Sequence, residues 1–117
     1  MANSLLRTPL YDLIVEQKAK MTAFSGWEMP VQFTGLKLEH QTVRNEVGMF
    51  DISHMAKFSL EGEGWLSLLQ SLVPSDLSRL NPGQAQYTVL LNPDGGIIDD
   101  IIVYCQGPDK AVIIANA

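Results

Sequence analysis

The last third of the chain places the strongest constraint on the fold. Three segments rich in β-branched and apolar residues, 84–91, 97–105 and 110–115, are separated by two short turn sequences. The first turn, Asn92–Gly96, combines Asn, Pro, Asp and two glycines, and the second, Gly107–Asp109, reads Gly-Pro-Asp. Turns this short join neighbouring antiparallel strands. The sequence therefore predicts a three-stranded antiparallel meander.

Segments with helical spacing of apolar residues precede the meander. Helices are predicted over 9–20, 36–47 and 63–72. Thr8 is expected to cap the first of these helices, and Ser75 to cap a further short turn.

Extended structure is predicted between the helices. Residues 21–33 favour short extended pieces with turns, and residues 55–60 alternate as a strand does. Helices packed on an antiparallel sheet define the α+β class. The chain ends at Asn116-Ala117, directly after the last strand, and we expect that strand to be left uncovered, as in a truncated domain.

Composition narrows the classes of function. The chain has 117 residues, 46% of them hydrophobic, and a formal net charge of −5. That balance is typical of one globular domain and disfavours binding to nucleic acid or to an anionic membrane. The single cysteine, Cys105, excludes an intramolecular disulfide and suits a small buried position. With neither a targeting sequence at Met1–Ile14 nor a long apolar run, we expect a cytoplasmic protein.

Two adjacent carboxylates, Asp99 and Asp100, are the most informative candidates for chemistry. Asp is depleted in strands, yet both lie inside an otherwise apolar strand. Because strand side chains alternate, Asp100 shares one face with Ile102 and Tyr104, and Asp99 lies on the other. A carboxylate, an apolar surface and a phenol on one face suit a flat ligand with polar edges. An aspartate at a strand entrance also often only bonds a turn, and the pattern allows Asp99 a structural role, such as a bond to the Gly95-Gly96 turn.

Other chemistries find less support. Adjacent strand positions point to opposite faces, so the two carboxylates cannot flank one glycosidic bond. His40 and His54 lack metal-ligand spacing, which indicates no metal site and favours hydrogen-bonding roles for both. Gly95-Gly96 is a turn rather than a phosphate-binding loop, and Ser25 lacks the setting of a nucleophile.

Six windows of the sequence together carry a family resemblance. They are 7–11 (RTPLY), 24–32 (FSGWEMPVQ), 43–44 (VR), 48–55 (GMFDISHM), 86–88 (QYT) and 95–100 (GGIIDD). These windows resemble the T-protein of the glycine cleavage system, which is a folate-dependent aminomethyltransferase. Their order and number carry the resemblance, which extends over nearly the whole chain. It implies that residues 1–117 are the N-terminal part of a larger folate-binding aminomethyltransferase fold, truncated and inactive alone.

The resemblance also implies a reaction. The family transfers a one-carbon unit from the aminomethyl-lipoyl arm of H-protein to tetrahydrofolate, with release of ammonia and without a metal. Asp100 would be the catalytic carboxylate. Positions matching the folate contacts of the family are Met55, Tyr87, Ile102, Tyr104 and Asn116.

Alternatives remain open on the sequence. Read without the resemblance, Met55 and Tyr87 are core residues and Asn116 is a turn residue. The chain could also be a non-catalytic folate-binding or regulatory module, or an inactive folding fragment that self-associates. The family location would be cytoplasmic, or the mitochondrial matrix in a eukaryote.

Overall fold

Two compact units, Met1–His54 and Met55–Ala117, make up the chain in the computed structural model. The structure describes residues 4–117. The stretch Met1–Ile14, for which the sequence predicts no targeting signal, therefore lies partly outside the described residues. Among residues 4–117, the helices are all too short or too polar to span a bilayer.

The first unit is built around a β-hairpin. Its elements are α1 (Tyr11–Glu16), β1 (Lys20–Phe24), β2 (Trp27–Gln32) and α2 (Leu36–Asn45). Ser25 and Gly26 form the two-residue turn between the strands, and both have positive φ, 47° and 82°. Two positive φ values match the twist of a tight hairpin, which explains the register that opposes Phe24 to Trp27. The extended pieces predicted for 21–33 are confirmed.

The first helix is shorter than predicted. It ends at Glu16, because Lys18 adopts a left-handed conformation with φ 60°, and β1 begins at Lys20. The predicted cap at Thr8 is wrong: the N-cap is Leu10, without a side-chain bond. The buried Thr8 hydroxyl instead donates to the Asp51 carboxylate at 2.9 Å.

The second helix is capped from within its first turn. One carboxylate oxygen of Glu39 accepts backbone N–H bonds from Phe33, Thr34 and Gly35 at 2.7–3.0 Å. These bonds to the ionised form lower the pKa of Glu39, with the Gly35 bond the largest cause. The helix ends at Asn45, before the predicted end at Val47, and Glu46 is its C-cap.

The second unit is a four-stranded antiparallel sheet. Its elements are β3 (Ala56–Glu61), α3 (Trp65–Gln70), a 3₁₀ turn (Leu77–Arg79), β4 (Ala85–Leu91), β5 (Ile97–Gly107) and β6 (Lys110–Ala115). The strand order is β3-β6-β5-β4, which confirms the predicted meander. The expectation that the last strand lies uncovered is wrong, because β6 pairs with β3 on one side and β5 on the other. The two edges of the sheet are β3 and β4.

One face of this sheet forms the core. Side chains from α3 and the following turn, including Trp65, Leu69 and Leu77, pack against Ile101 and Val103 of β5. The Trp65 indole donates to the Pro108 carbonyl at 3.1 Å, which fastens the helix to the β5–β6 turn.

The 3₁₀ turn is held by side chains before it. Asp76, not the predicted Ser75, caps this turn by accepting from the Ser78 backbone N–H at 3.0 Å. Gln70 accepts from the Leu77 backbone N–H at 2.8 Å. Antiparallel strands with a few short helices confirm the α+β class.

Candidate functional site

Strand β5 separates a buried face from an open one. Ile101, Val103 and Cys105 are buried in the core, at 1%, 0% and 5% exposure. Asp100, Ile102 and Tyr104 lie on the opposite face, and this "outer face" is the one that α3 does not cover. The alternation predicted for this strand is confirmed from Asp100 onwards, as is the buried position of Cys105.

The sheet register brings three of the predicted residues into one row. Ala115 of β6 pairs with Ala56 of β3 and with Ile101 of β5. The next residues beyond these pairs are Met55, Asn116 and Asp100. Asn116 contacts Asp100, and Met55 directly precedes β3 at the same end of the sheet.

Both oxygens of the Asp100 carboxylate accept a hydrogen bond. The side-chain amide of Asn116 donates to Oδ1 at 2.8 Å, and the Tyr87 hydroxyl donates to Oδ2 at 3.1 Å. Tyr87 pairs with Ile102, so it lies diagonally across from Asp100, a distance that an aromatic side chain spans. Both of these contacts present a hydrogen-bond donor to the Asp100 carboxyl group.

Asp99 also binds Asn116. Its Oδ1 accepts from the Asn116 side-chain amide at 2.7 Å and its Oδ2 from the Asn116 backbone N–H at 3.2 Å. The expected bond from Asp99 to the Gly95-Gly96 turn is wrong. That turn is held by Asn92, whose Oδ1 accepts from the Gly96 N–H at 2.7 Å.

A β-bulge precedes the two carboxylates. Leu90 pairs with Asp99 but Leu91 pairs with Ile97, so Ile98 is an extra residue in β5. Bulges bend a strand and re-aim its side chains. Adjacent residues of opposite parity here bind the same amide group, which simple alternation does not predict.

Hydrogen bonding shifts two pKa values in this network. The Asn116 side chain, helped by two backbone N–H groups, lowers the pKa of Asp99 against the opposing effect of desolvation. The bond from Tyr87 to the Asp100 carboxylate, and the negative charge of that carboxylate, raise the pKa of Tyr87. The arrangement therefore favours ionised Asp99 and neutral Tyr87.

The middle of the outer face is apolar, whereas its β3 side is polar, with Lys57 opposite Ile114 and Ser59 opposite Val112. Ile102 pairs with Ile114, and Tyr104 with Val112, and the three aliphatic side chains are half-buried. Tyr87 is 62% exposed, so it is not a core residue, whereas Met55 is partly buried. Tyr104 lies four residues beyond Asp100, about 13 Å along the strand at 3.3 Å per residue. Tyr87 and Asn116 touch Asp100, and Tyr104 lies at the far end.

The amide oxygen of Asn116 is a further candidate for contact with a ligand. Both amide hydrogens are used by Asp99 and Asp100, and within residues 4–117 the oxygen accepts no hydrogen bond. The outer face thus combines a flat aliphatic surface, an anion and an acceptor. A planar heterocycle with N–H groups on its edge fits this set of groups.

Both histidines, His40 and His54, belong to the first unit. His54 lies in the first unit, where its ring meets Phe24 and Trp27 edge-on at 5.9 and 6.5 Å between centroids. Its Nδ1 is buried and, within residues 4–117, has no hydrogen-bond partner. In the described part of the chain, no group of three or more His, Cys, Asp or Glu side chains is arranged to hold a metal.

These features define an α+β domain that presents a carboxylate at the end of an open, apolar sheet face. Residues 10–117 match the family model described as the GCVT N-terminal domain, and the chain belongs to that family.

Named relatives agree with this assignment. The aminomethyltransferase of Rippkaea orientalis is 71% identical over 120 residues, which cover 98% of this chain and 32% of that protein. The aminomethyltransferase of Nostoc sp. is 68% identical over 121 residues, covering 99% of this chain and 32% of that protein. The chain thus spans about a third of the length of these curated relatives.

A solved structure shares the fold. The crystal structure of glycine cleavage system aminomethyltransferase T from Bartonella henselae superposes with a TM-score of 0.90 at 39% identity. The match covers 97% of this chain and 32% of that one. The resemblance to the T-protein family is confirmed.

Proposed function

We propose that this chain is the N-terminal part, residues 1–117, of a glycine cleavage system aminomethyltransferase. The complete enzyme would transfer the one-carbon unit from aminomethyl-lipoyl H-protein to tetrahydrofolate and release ammonia. The observation that carries the proposal is the Asp100 carboxylate, held by Tyr87 and Asn116 at the end of an apolar face. The names of the relatives support the same activity.

Asp100 is the residue that acts on the reacting atoms in this proposal. When bound, tetrahydrofolate supplies the nitrogen that accepts the one-carbon unit. Positive charge develops on the transferred carbon during this step. A carboxylate fixed by two donors needs no reorganisation to stabilise that charge, or to take a proton from the folate nitrogen.

The outer face supplies the binding surface. Ile102 forms the apolar floor beside Asp100, and Tyr87 and Asn116 border it. Met55 closes the same row of the sheet. Tyr104, about 13 Å along the strand from Asp100, suits the more distant part of an extended ligand rather than the reacting ring.

The chain alone is expected to lack turnover. It spans 32% of its relatives, and the remaining two thirds would complete the binding site. H-protein is the proposed donor partner, and the proposed location is the cytoplasm.

The test uses the chain joined to the remaining two thirds of the Rippkaea orientalis relative, here called the joined enzyme. Single-turnover formation of methylenetetrahydrofolate is measured with aminomethylated H-protein. Asp100→Asn keeps the shape but removes charge and basicity, so the rate should fall by about 10²–10⁴-fold. Asp94→Asn, the same change in the exposed Asn92–Gly96 turn, is the matched control.

Two results would refute the proposal. The first is a joined enzyme that folds, binds H-protein and transfers nothing. The second is a well-folded Asp100→Asn form that retains the rate of the control. Folate binding by calorimetry in the absence of any transfer would instead identify a non-catalytic binding module.

A further inference from the structure

We infer that Asp99 is a positioning residue, which orients the Asn116 side-chain amide so that its nitrogen meets Asp100 and its oxygen faces the ligand. This inference rests on the proposed function, because the ligand it concerns is the one that meets Asp100. In addition to its place in strand β5, Asp99 would orient one side chain of the site, that of Asn116.

The first step is the grip of Asp99 on Asn116. Two bonds join them, from the side-chain Nδ2 at 2.7 Å and from the backbone N–H at 3.2 Å. One carboxylate thereby fixes both the backbone position and the side-chain direction of Asn116. The terminal torsion of an asparagine is otherwise broad, so such a grip restricts a freedom that the residue would keep.

The second step is the orientation of the amide. The Nδ2 group carries two hydrogens, and the carboxylates of Asp99 and Asp100 accept at 2.7 and 2.8 Å. Carboxylates only accept, so a flipped amide would place its oxygen against two anions. Only one orientation satisfies the contacts, and it leaves Oδ1 as an acceptor for an N–H donor on the ligand.

The third step is the charge. A second carboxylate beside Asp100 adds a like charge near the reacting centre, and a donor shared by both carboxylates offsets part of that repulsion. Asn116 is that shared donor. Bonds to an ionised acceptor are stronger than neutral ones, and an asparagine at position 99 offers one neutral acceptor oxygen that can itself flip.

The experiment is a double-mutant cycle in the joined enzyme. Single-turnover rates and the KM for tetrahydrofolate are measured for Asp99→Ala, Asn116→Ala and the double variant. Asp99→Ala should lower kcat/KM about tenfold, because contacting residues couple at this level. If Asp99 acts through Asn116, the double variant is no worse than Asn116→Ala alone. Asp94→Ala is the control for loss of a nearby carboxylate.

A second readout does not depend on activity. With ¹⁵N-asparagine labelling, the NMR chemical shift of the Asn116 side-chain amide should move toward that of a solvent-exposed amide in Asp99→Ala, but not in Asp94→Ala. Its protons should also exchange faster with water in Asp99→Ala, but not in Asp94→Ala. Asp99→Asn retains the shape of the side chain and one acceptor, so its Asn116 amide signal should lie between those of Asp99→Ala and Asp94→Ala. This variant also tests the inference if Asp99→Ala does not fold.

The outcomes separate the two claims. Losses that multiply in the double variant, or an unchanged Asn116 amide in Asp99→Ala, overturn the positioning role. An unmodified joined enzyme without transferase activity overturns the proposed function, and the amide measurement then still decides whether Asp99 orients Asn116.

Discussion

At the residue scale, the network around Asp100 depends on ionised groups. Ionised Asp99 accepts hydrogen bonds from Asn116 at both of its carboxylate oxygens, and these bonds lower its pKa below the usual 3.8. A depressed folded-state pKa contributes stability above the unfolded pKa, and that contribution is lost as the pH falls through the folded value. Acid should therefore loosen this end of the sheet.

This linkage gives a pH prediction. The thermal midpoint of the wild-type chain should fall as the pH decreases below about 4, the usual pKa of an aspartate. Asp99→Asn lacks the titrating group, so its midpoint should start lower at neutral pH and decline less over the same interval. Calorimetric melts between pH 7 and 2, with Asp94→Asn alongside, provide the measurement. Parallel curves for the wild type and Asp99→Asn would contradict the linkage.

The sequence predicted which residues share a face better than it predicted their contacts. Alternation placed Asp100, Ile102 and Tyr104 on one face because period-two geometry is local. The partner of Asp99 could not be found in this way, because Asn116 is 17 residues away and meets it through the β5–β6 pairing and the bulge at Ile98. A pair of adjacent acidic residues was the available signal, but it does not show which donor they share.

At the element scale, the β4–β5 turn fixes the strand that carries both carboxylates. Gly95 has φ +80°, and no heavy atom lies within 4 Å of the position that a Cβ would take. Gly95→Ala should therefore destabilise the second unit through the backbone alone, by about 1–2 kcal/mol. Urea unfolding measures the change. Gly64→Ala, at φ −84° and also without close neighbours, should be nearly neutral. Equal stability of the two variants would show that the turn conformation is not what holds the strand.

Element positions separate local signals from long-range ones. The three strands of the meander were predicted because the residues of Asn92–Gly96 and Gly107–Asp109 are typical of turns. The place of β6 in the middle of the sheet was not, because its pairing with β3 joins residues up to 59 positions apart, Ala56 with Ala115. The predicted cap of α1 was wrong for a related reason. Thr8 donates its hydrogen bond to Asp51, which is far away in the sequence, instead of capping the helix.

At the scale of the whole molecule, each unit leaves apolar surface open. In the second unit the outer face of the sheet carries half-buried Ile102, Ile114 and Val112, with β3 and β4 as edges. In the first unit, a groove of about 540 Å³ lies between α1, β2 and α2. Met49 and Phe50 at its rim are 97% and 70% exposed. Contiguous apolar surface and unpaired strand edges both favour association.

We therefore predict that the 117-residue chain self-associates. Its sedimentation coefficient should rise with concentration, since burial of apolar area is worth roughly 25 cal/mol per Å². Replacing Met49 and Phe50 with serine should weaken the association if the first unit contributes to it, whereas Lys37→Ser, an exposed polar change on α2, should not. In the joined enzyme the added two thirds would compete for the same surfaces, so association should be weaker there. A chain that remains monomeric at high concentration and melts cooperatively would show that these surfaces are tolerated in water.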